Sequence, residues 1–141
     1  MPYREKIAWL MLIALPLTLA AYVALLLDLA PGLGRAPTDS ERAAAFVLLV
    51  FAQAVVIGLG RLALRLTSPA DARLPLDERD SAIARRAVSA AYYVLISGTV
   101  VAGAVSFNSR GWGMVNVIVS ILTLAELVHY GVTVVSYRRQ A

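Results

Sequence analysis

Four apolar runs, each about as long as the roughly 20 residues a helix needs to cross a bilayer, constrain this chain more than any other feature. They occupy residues 7–29, 43–62, 87–107 and 112–135. A segment in hydrocarbon has to satisfy its backbone N–H and C=O groups internally, and a helix does so along its whole length. The runs therefore predict an all-α, polytopic membrane protein, a bundle of four transmembrane helices. Composition agrees, with 60% of residues hydrophobic and 16% charged. The 141 residues form one domain, with no room for a second, soluble one.

The first run is interrupted only by Pro16 and Thr18 and gives way to Asp28 and the turn-forming Pro31-Gly32. Arg4 and Lys6 precede it, as in a secretory signal, but it exceeds the apolar core of about 7–15 residues typical of one, so it is expected to stay as a span. Thr38, Asp39 and Ser40 offer caps for the second helix beside Glu41 in its first turn. Asn108-Ser109-Arg110-Gly111 is too short for anything but a tight connection, so spans three and four should form an antiparallel hairpin. Pro16 permits a kink, with Thr18 or a neighbour taking up the freed carbonyl.

Charge placement sets the threading. Arg4, Lys6, Arg61, Arg65, Arg73, Arg79, Arg85, Arg86, Arg138 and Arg139 fall on one side, and Arg35, Arg42 and Arg110 on the other. The positive-inside rule then predicts an N-in, C-in protein with loop 63–86 in the cytoplasm. Tyr3, Trp9, Trp112, Tyr130 and Tyr137 lie toward span ends, where aromatic side chains anchor at the interface. Twelve arginines against one lysine suit a GC-rich genome, and the expected location is a bacterial inner membrane.

Within that loop, PLDERDSAIARR at 75–86 concentrates charge. Pro75 disfavours helix before it and Asp77 is a good N-cap, so helix three is expected to begin near Glu78, with its acids at the positive end of the dipole. From Glu78 to Phe107 is about 45 Å of helix against about 30 Å of hydrocarbon, so about two turns should project into the cytoplasm. There Ile83, with Arg79, Arg85 and Arg86 around it, suits anionic headgroups or a cytosolic partner. Capping with snorkelling arginines explains every charge in the stretch, and a docking face made of Asp77, Glu78, Arg79, Asp80, Arg85 and Arg86 explains them as well. A metal site on Asp77, Glu78 and Asp80 would be short of oxygens and has no glycine-containing calcium loop.

Span four carries the ionisable groups that a bilayer tolerates least, Glu126 and His129. Three apart, they share a face with Asn116, Ser120, Thr123, Tyr130, Thr133 and Tyr137, a stripe that should look inward or at another subunit. Val117, Ile121, Leu124, Val128, Val132 and Val135 would face lipid. Three readings stay open. Glu126 is interhelical glue, protonated or paired with His129, a tyrosine hydroxyl or Gln53; or Glu126, His129, Asn116, Gln53 and Tyr130 form a proton or cation relay; or E-x-x-H is half of a di-metal site whose other glutamates this chain lacks. Ser97, Gly98, Ala102, Gly103 and Ala104 on span three, and Gly58 and Gly60 on span two, mark close helix approach.

Cysteine is absent, and the sole histidine lies within a span, which excludes thiol chemistry and a Ser-His-Asp set. No phosphate loop and no aromatic-interleaved basic patch is present, so neither an enzyme, nor a cofactor, nor direct nucleic-acid binding is expected.

DERDSAIARRAVSAAYYVLISG, then a short turn, a tryptophan opening span four and AELVHYG, resembles a bacterial family of small four-span inner-membrane proteins with a D-E-R motif before span three. The likeness covers residues 75–139; spans one and two match in hydropathy alone. Members of that family tend to be encoded beside helix-turn-helix regulators, and no activity is established for them. The resemblance implies a membrane sensor or tether for a cytosolic transcription regulator, with Asp77, Glu78, Arg79 and Asp80 on the docking face. The leading expectation is thus a non-enzymatic, homodimeric membrane regulator or accessory protein, and the alternative is a small dimeric proton-coupled transporter or ion-conducting protein using Glu126 and His129.

Overall fold

The structure, a computed structural model, describes residues 3–26, 38–69, 77–105 and 112–139. It is all-helical over four elements: α1 (Tyr3–Leu26), α2 (Asp39–Thr67), α3 (Glu78–Val105) and α4 (Trp112–Arg139). Each is long and apolar enough to cross a membrane, with mean hydropathies from 1.6 to 2.4 over the best stretches. The expected connections at Asp28, Pro31-Gly32, Arg35, Arg73, Pro75 and 108–111 lie outside the described residues.

Two helix starts follow directly from cap chemistry. Thr38 and Glu41 form a reciprocal capping box: the Glu41 N–H donates to Thr38 Oγ1 at 3.4 Å and the Thr38 N–H donates to Glu41 Oε2 at 2.8 Å. Asp77 caps α3, its carboxylate accepting from the Glu78 N–H at 2.7 Å and its carbonyl accepting from the Ser81 N–H at 3.0 Å. The helices outrun the apolar segments at one common end. α1 begins before residue 7, α2 continues past 62, α3 begins before 87 and α4 continues past 135. This end, which carries the start of α1 and the end of α4, is called proximal below.

The helices pack in the order α2, α1, α4, α3, with α1 touching both α2 and α4, and α4 touching α3 most extensively. The expected α3–α4 hairpin is therefore present. α1 supplies half of the buried apolar residues, Ala8, Met11, Ala14, Leu15 and Tyr22, whereas α2 buries no residue at all. Much large apolar surface stays outside, including Leu48, Phe51, Leu66, Tyr93 and Val100. Water would penalise so broad a patch, whereas lipid tails are as apolar as the side chains themselves.

Small residues set two seams. A Cβ on Gly60 would come within 2.7 Å of Leu10 of α1, and one on Gly98 within 2.7 Å of Ile121 of α4. Gly58 and Gly103 meet nothing within 4 Å, so the expectation that they mark close approach is corrected. The lipid-facing assignment of Ile121 is corrected too, because its side chain lies against Gly98 of α3, whereas Leu124 of the same expected face stays exposed. Because Gly98 has no side chain, α3 carries a notch there, and the notch admits the apolar Ile121 of α4. At Pro16, the Thr18 hydroxyl donates to the Ala14 carbonyl at 2.8 Å and not to that of Leu12, the group that proline leaves without its usual donor.

Gly98→Ala should lower stability relative to Gly103→Ala by about 1–3 kcal/mol, because both gain the same helix propensity but only the first overpacks a seam. Unfolding titrations of the two variants in mixed micelles would measure this, and equal stabilities would rule out the Gly98–Ile121 contact.

Candidate functional site

Two polar groupings stand out, one at the proximal end and one at mid-height. At the proximal end, Asp80 of α3 accepts a hydrogen bond from the Tyr137 hydroxyl of α4 at 2.6 Å through one oxygen. Its other oxygen pairs with Arg4 Nε of α1 at 3.5 Å. Glu5, a buried carboxylate, faces Arg138 of α4 at 3.8 Å, and the Arg138 guanidinium lies 5.1 Å from the centre of the Trp9 ring. Lys6 donates to Ser68 Oγ at the end of α2 at 2.8 Å. All four helices are tied together here by side chains of the overhanging turns, forming a polar collar around a small apolar plug.

Ile83 and Ala87 of α3 form that plug, 1% and 0% exposed, together with Val134 and Tyr137 of α4. The expectation that Ile83 lies on projecting turns, free for headgroups or a partner, is corrected: the other helices overhang too, and the isoleucine is buried among them. Asp77, Glu78, Arg79, Arg85 and Arg86 remain exposed on the outer side. Of the six proposed docking residues, Asp80 alone is half-buried, and both its oxygens are engaged within the chain.

At mid-height, Glu126 stands 14 residues from Trp112 and 13 from Arg139, so it is about 20 Å from either end of α4. It is exposed on the outside of the single chain. Tyr130, one turn on, lies within electrostatic range of Glu126 and within hydrogen-bonding reach of Arg61 of α2. The His129 ring meets Tyr130 edge to face at 4.9 Å between centres. Arg61, which sequence reasoning used only to orient the chain, belongs to this cluster; an arginine six residues inside a helix end was the available signal.

The rest of the expected polar stripe divides. Asn116 accepts a hydrogen bond from the Tyr22 hydroxyl, joining α1 to α4, and Tyr22 packs edge-on against Phe46 of α2 at 5.6 Å. Sequence reasoning passed over Tyr22, although a buried tyrosine hydroxyl usually needs a partner. Thr123 and Gln53 both line a cleft of about 180 Å³ formed by residues of α1, α2 and α4. Gln53 is not the partner of Glu126 that one reading allowed: it makes no hydrogen bond among the described residues. Among those residues, no three carboxylate or histidine side chains converge as a metal would need.

No family model, no characterised protein and no solved structure matches the chain.

A double-mutant cycle on Asp80→Asn and Tyr137→Phe should return a coupling of about 1–2 kcal/mol, the range for a partly buried hydrogen bond to a charged acceptor. Additive effects would mean that the collar does not join α3 to α4.

Proposed function

We propose that this chain is a non-enzymatic, multi-pass regulator or accessory protein of a bacterial inner membrane, threaded N-in and C-in, that holds the outer face of α3's first turns toward a cytosolic partner. The arginine distribution supports the threading, since it puts the proximal collar in the cytoplasm. The observation that carries the reading is the split of one short helical segment into two faces. Ile83 and Ala87 are buried and Asp80 is fastened to two other helices, while Asp77, Glu78, Arg79, Arg85 and Arg86 stand exposed.

A docking face gains from such an arrangement, because its backbone is already ordered and binding need not order it. Mixed charge on a rigid surface favours a protein partner with complementary charges over nucleic acid, whose phosphates would meet the acids of the segment. The likeness of residues 75–139 to proteins encoded beside helix-turn-helix regulators makes a transcription regulator the natural kind of partner. Exposure of Glu126 at mid-height suits a homodimer, since a second copy covering that face would remove a carboxyl group from contact with lipid.

A photo-crosslinking side chain at Ala84, which is exposed beside the charged face, tests the reading in intact cells. One discrete adduct with a cytosolic protein is expected, lost in Glu78→Lys/Arg86→Glu and retained in Glu126→Gln. Absence of any discrete adduct would sink it.

The second reading, a proton or ion pathway, rests on the grouping of Glu126, Tyr130, His129 and Arg61 at and below mid-height. It predicts proton flux into proteoliposomes under an imposed pH gradient, falling to the leak of empty liposomes in Glu126→Gln. The regulatory reading predicts no flux in either protein.

A further inference from the structure

The cleft between α2 and α4 does not depend on the regulatory reading, and its chemistry is specific. Leu15, Leu19, Leu49, Val50 and Leu122 make it mainly apolar, and four polar side chains, Thr18, Tyr22, Gln53 and Thr123, reach it. Three of the four have already committed their hydrogens. Thr18 donates to the Ala14 carbonyl, Thr123 to the Val119 carbonyl at 2.8 Å, and Tyr22 to Asn116. What these hydroxyls still offer are oxygen lone pairs, so they are acceptors. Gln53 has no partner among the described residues and offers an acceptor and two donors.

A carboxamide left unpaired in hydrocarbon is costly, because no water is at hand to replace the missing partner. The cleft is therefore polar in one small region, rich in acceptors, and without charge among its lining residues. Its volume of about 180 Å³ exceeds the roughly 150 Å³ that suffices for a benzene ring. The Tyr22 and Phe46 rings at one end supply an aromatic wall.

We propose that this cleft is a binding site for a neutral, ring-sized lipophilic molecule bearing a hydroxyl, a phenol in its simplest form. The hydroxyl hydrogen donates to the Gln53 carbonyl oxygen, and the Gln53 amide N–H donates back to the hydroxyl or to a neighbouring ring substituent. The ring lies against Tyr22 and Phe46. A charged ligand is disfavoured, since nothing lining the cleft would neutralise it. A plain hydrocarbon tail would leave Gln53 without a partner.

The test uses the full chain in phosphatidylcholine nanodiscs, with 4-fluorophenol and fluorobenzene as probes followed by fluorine NMR, and empty nanodiscs as the partition control. Saturable binding of 4-fluorophenol is expected, about five- to tenfold tighter than that of fluorobenzene, the gain of one or two hydrogen bonds in a membrane interior. Gln53→Leu should erase that preference and leave fluorobenzene unchanged, and Leu122→Trp, which fills the cleft, should abolish saturable binding of both. Signals that match empty nanodiscs at every concentration would overturn the proposal, as would fluorobenzene binding the wild type as tightly as the phenol, the mark of an acyl-chain slot. Because that last comparison uses the wild type alone, it stands even if a variant fails to fold.

Discussion

Hydrocarbon gives four apolar helices almost no reason to prefer one another to lipid, so the contacts that do hold them must come from close packing and from polar side chains. This chain places both kinds of contact sparingly. Two glycine notches, Gly60 under Leu10 and Gly98 under Ile121, let neighbouring helices approach. The Tyr22–Asn116 hydrogen bond joins α1 to α4 toward the far end. The Arg4–Asp80 and Arg138–Glu5 ion pairs and most of the other polar contacts described between helices are gathered at the proximal collar, where Asp80 touches two helices besides its own and Arg138, Lys6 and Trp9 complete the ring. Burial follows the same distribution, with the least exposed residues of α3 lying next to its first charges.

How far the amino-acid order reveals this depends on the range of the interaction concerned. The capping box of Thr38 and Glu41 and the cap at Asp77 act within four residues, and both are legible from residue types alone. Four helices of membrane length are legible for a similar reason, since apolar length is a property of each segment by itself. Partner choice across helices is different. Gly58 and Gly60 look alike in sequence, and only the register of α1 decides that Leu10 meets the second. Ile121 reads as a lipid-facing residue until Gly98 provides the hole it enters. Ile83 reads as exposed because the overhang of one helix can be counted, whereas the shelter given by the others requires knowing that all four overhang together.

The polar residues within the apolar helices show the same division. Glu126 and His129 are conspicuous by type, yet type does not say that the first would sit on the outside of a single chain, or that Arg61 would reach across to Tyr130. Gln53 is the more informative residue once the helices are placed. It is set in a cleft where its neighbours' hydroxyl hydrogens are already spent on carbonyls one turn back. Such back-bonding is a local habit of threonine in apolar helices, and here it determines what kind of group the cleft lacks.

The helix order α2, α1, α4, α3 also bears on biogenesis. The helix with the most buried face is the first of the four to be synthesised, and the helix that covers much of that face is the last. Until α3 and α4 are made, the carboxylate of Glu5 and the guanidinium of Arg4 lack their partners. A nascent chain at that stage carries unpaired charge at this end, and closure of the collar pairs it. The proximal end of the bundle is thus complete only when the last helix has arrived.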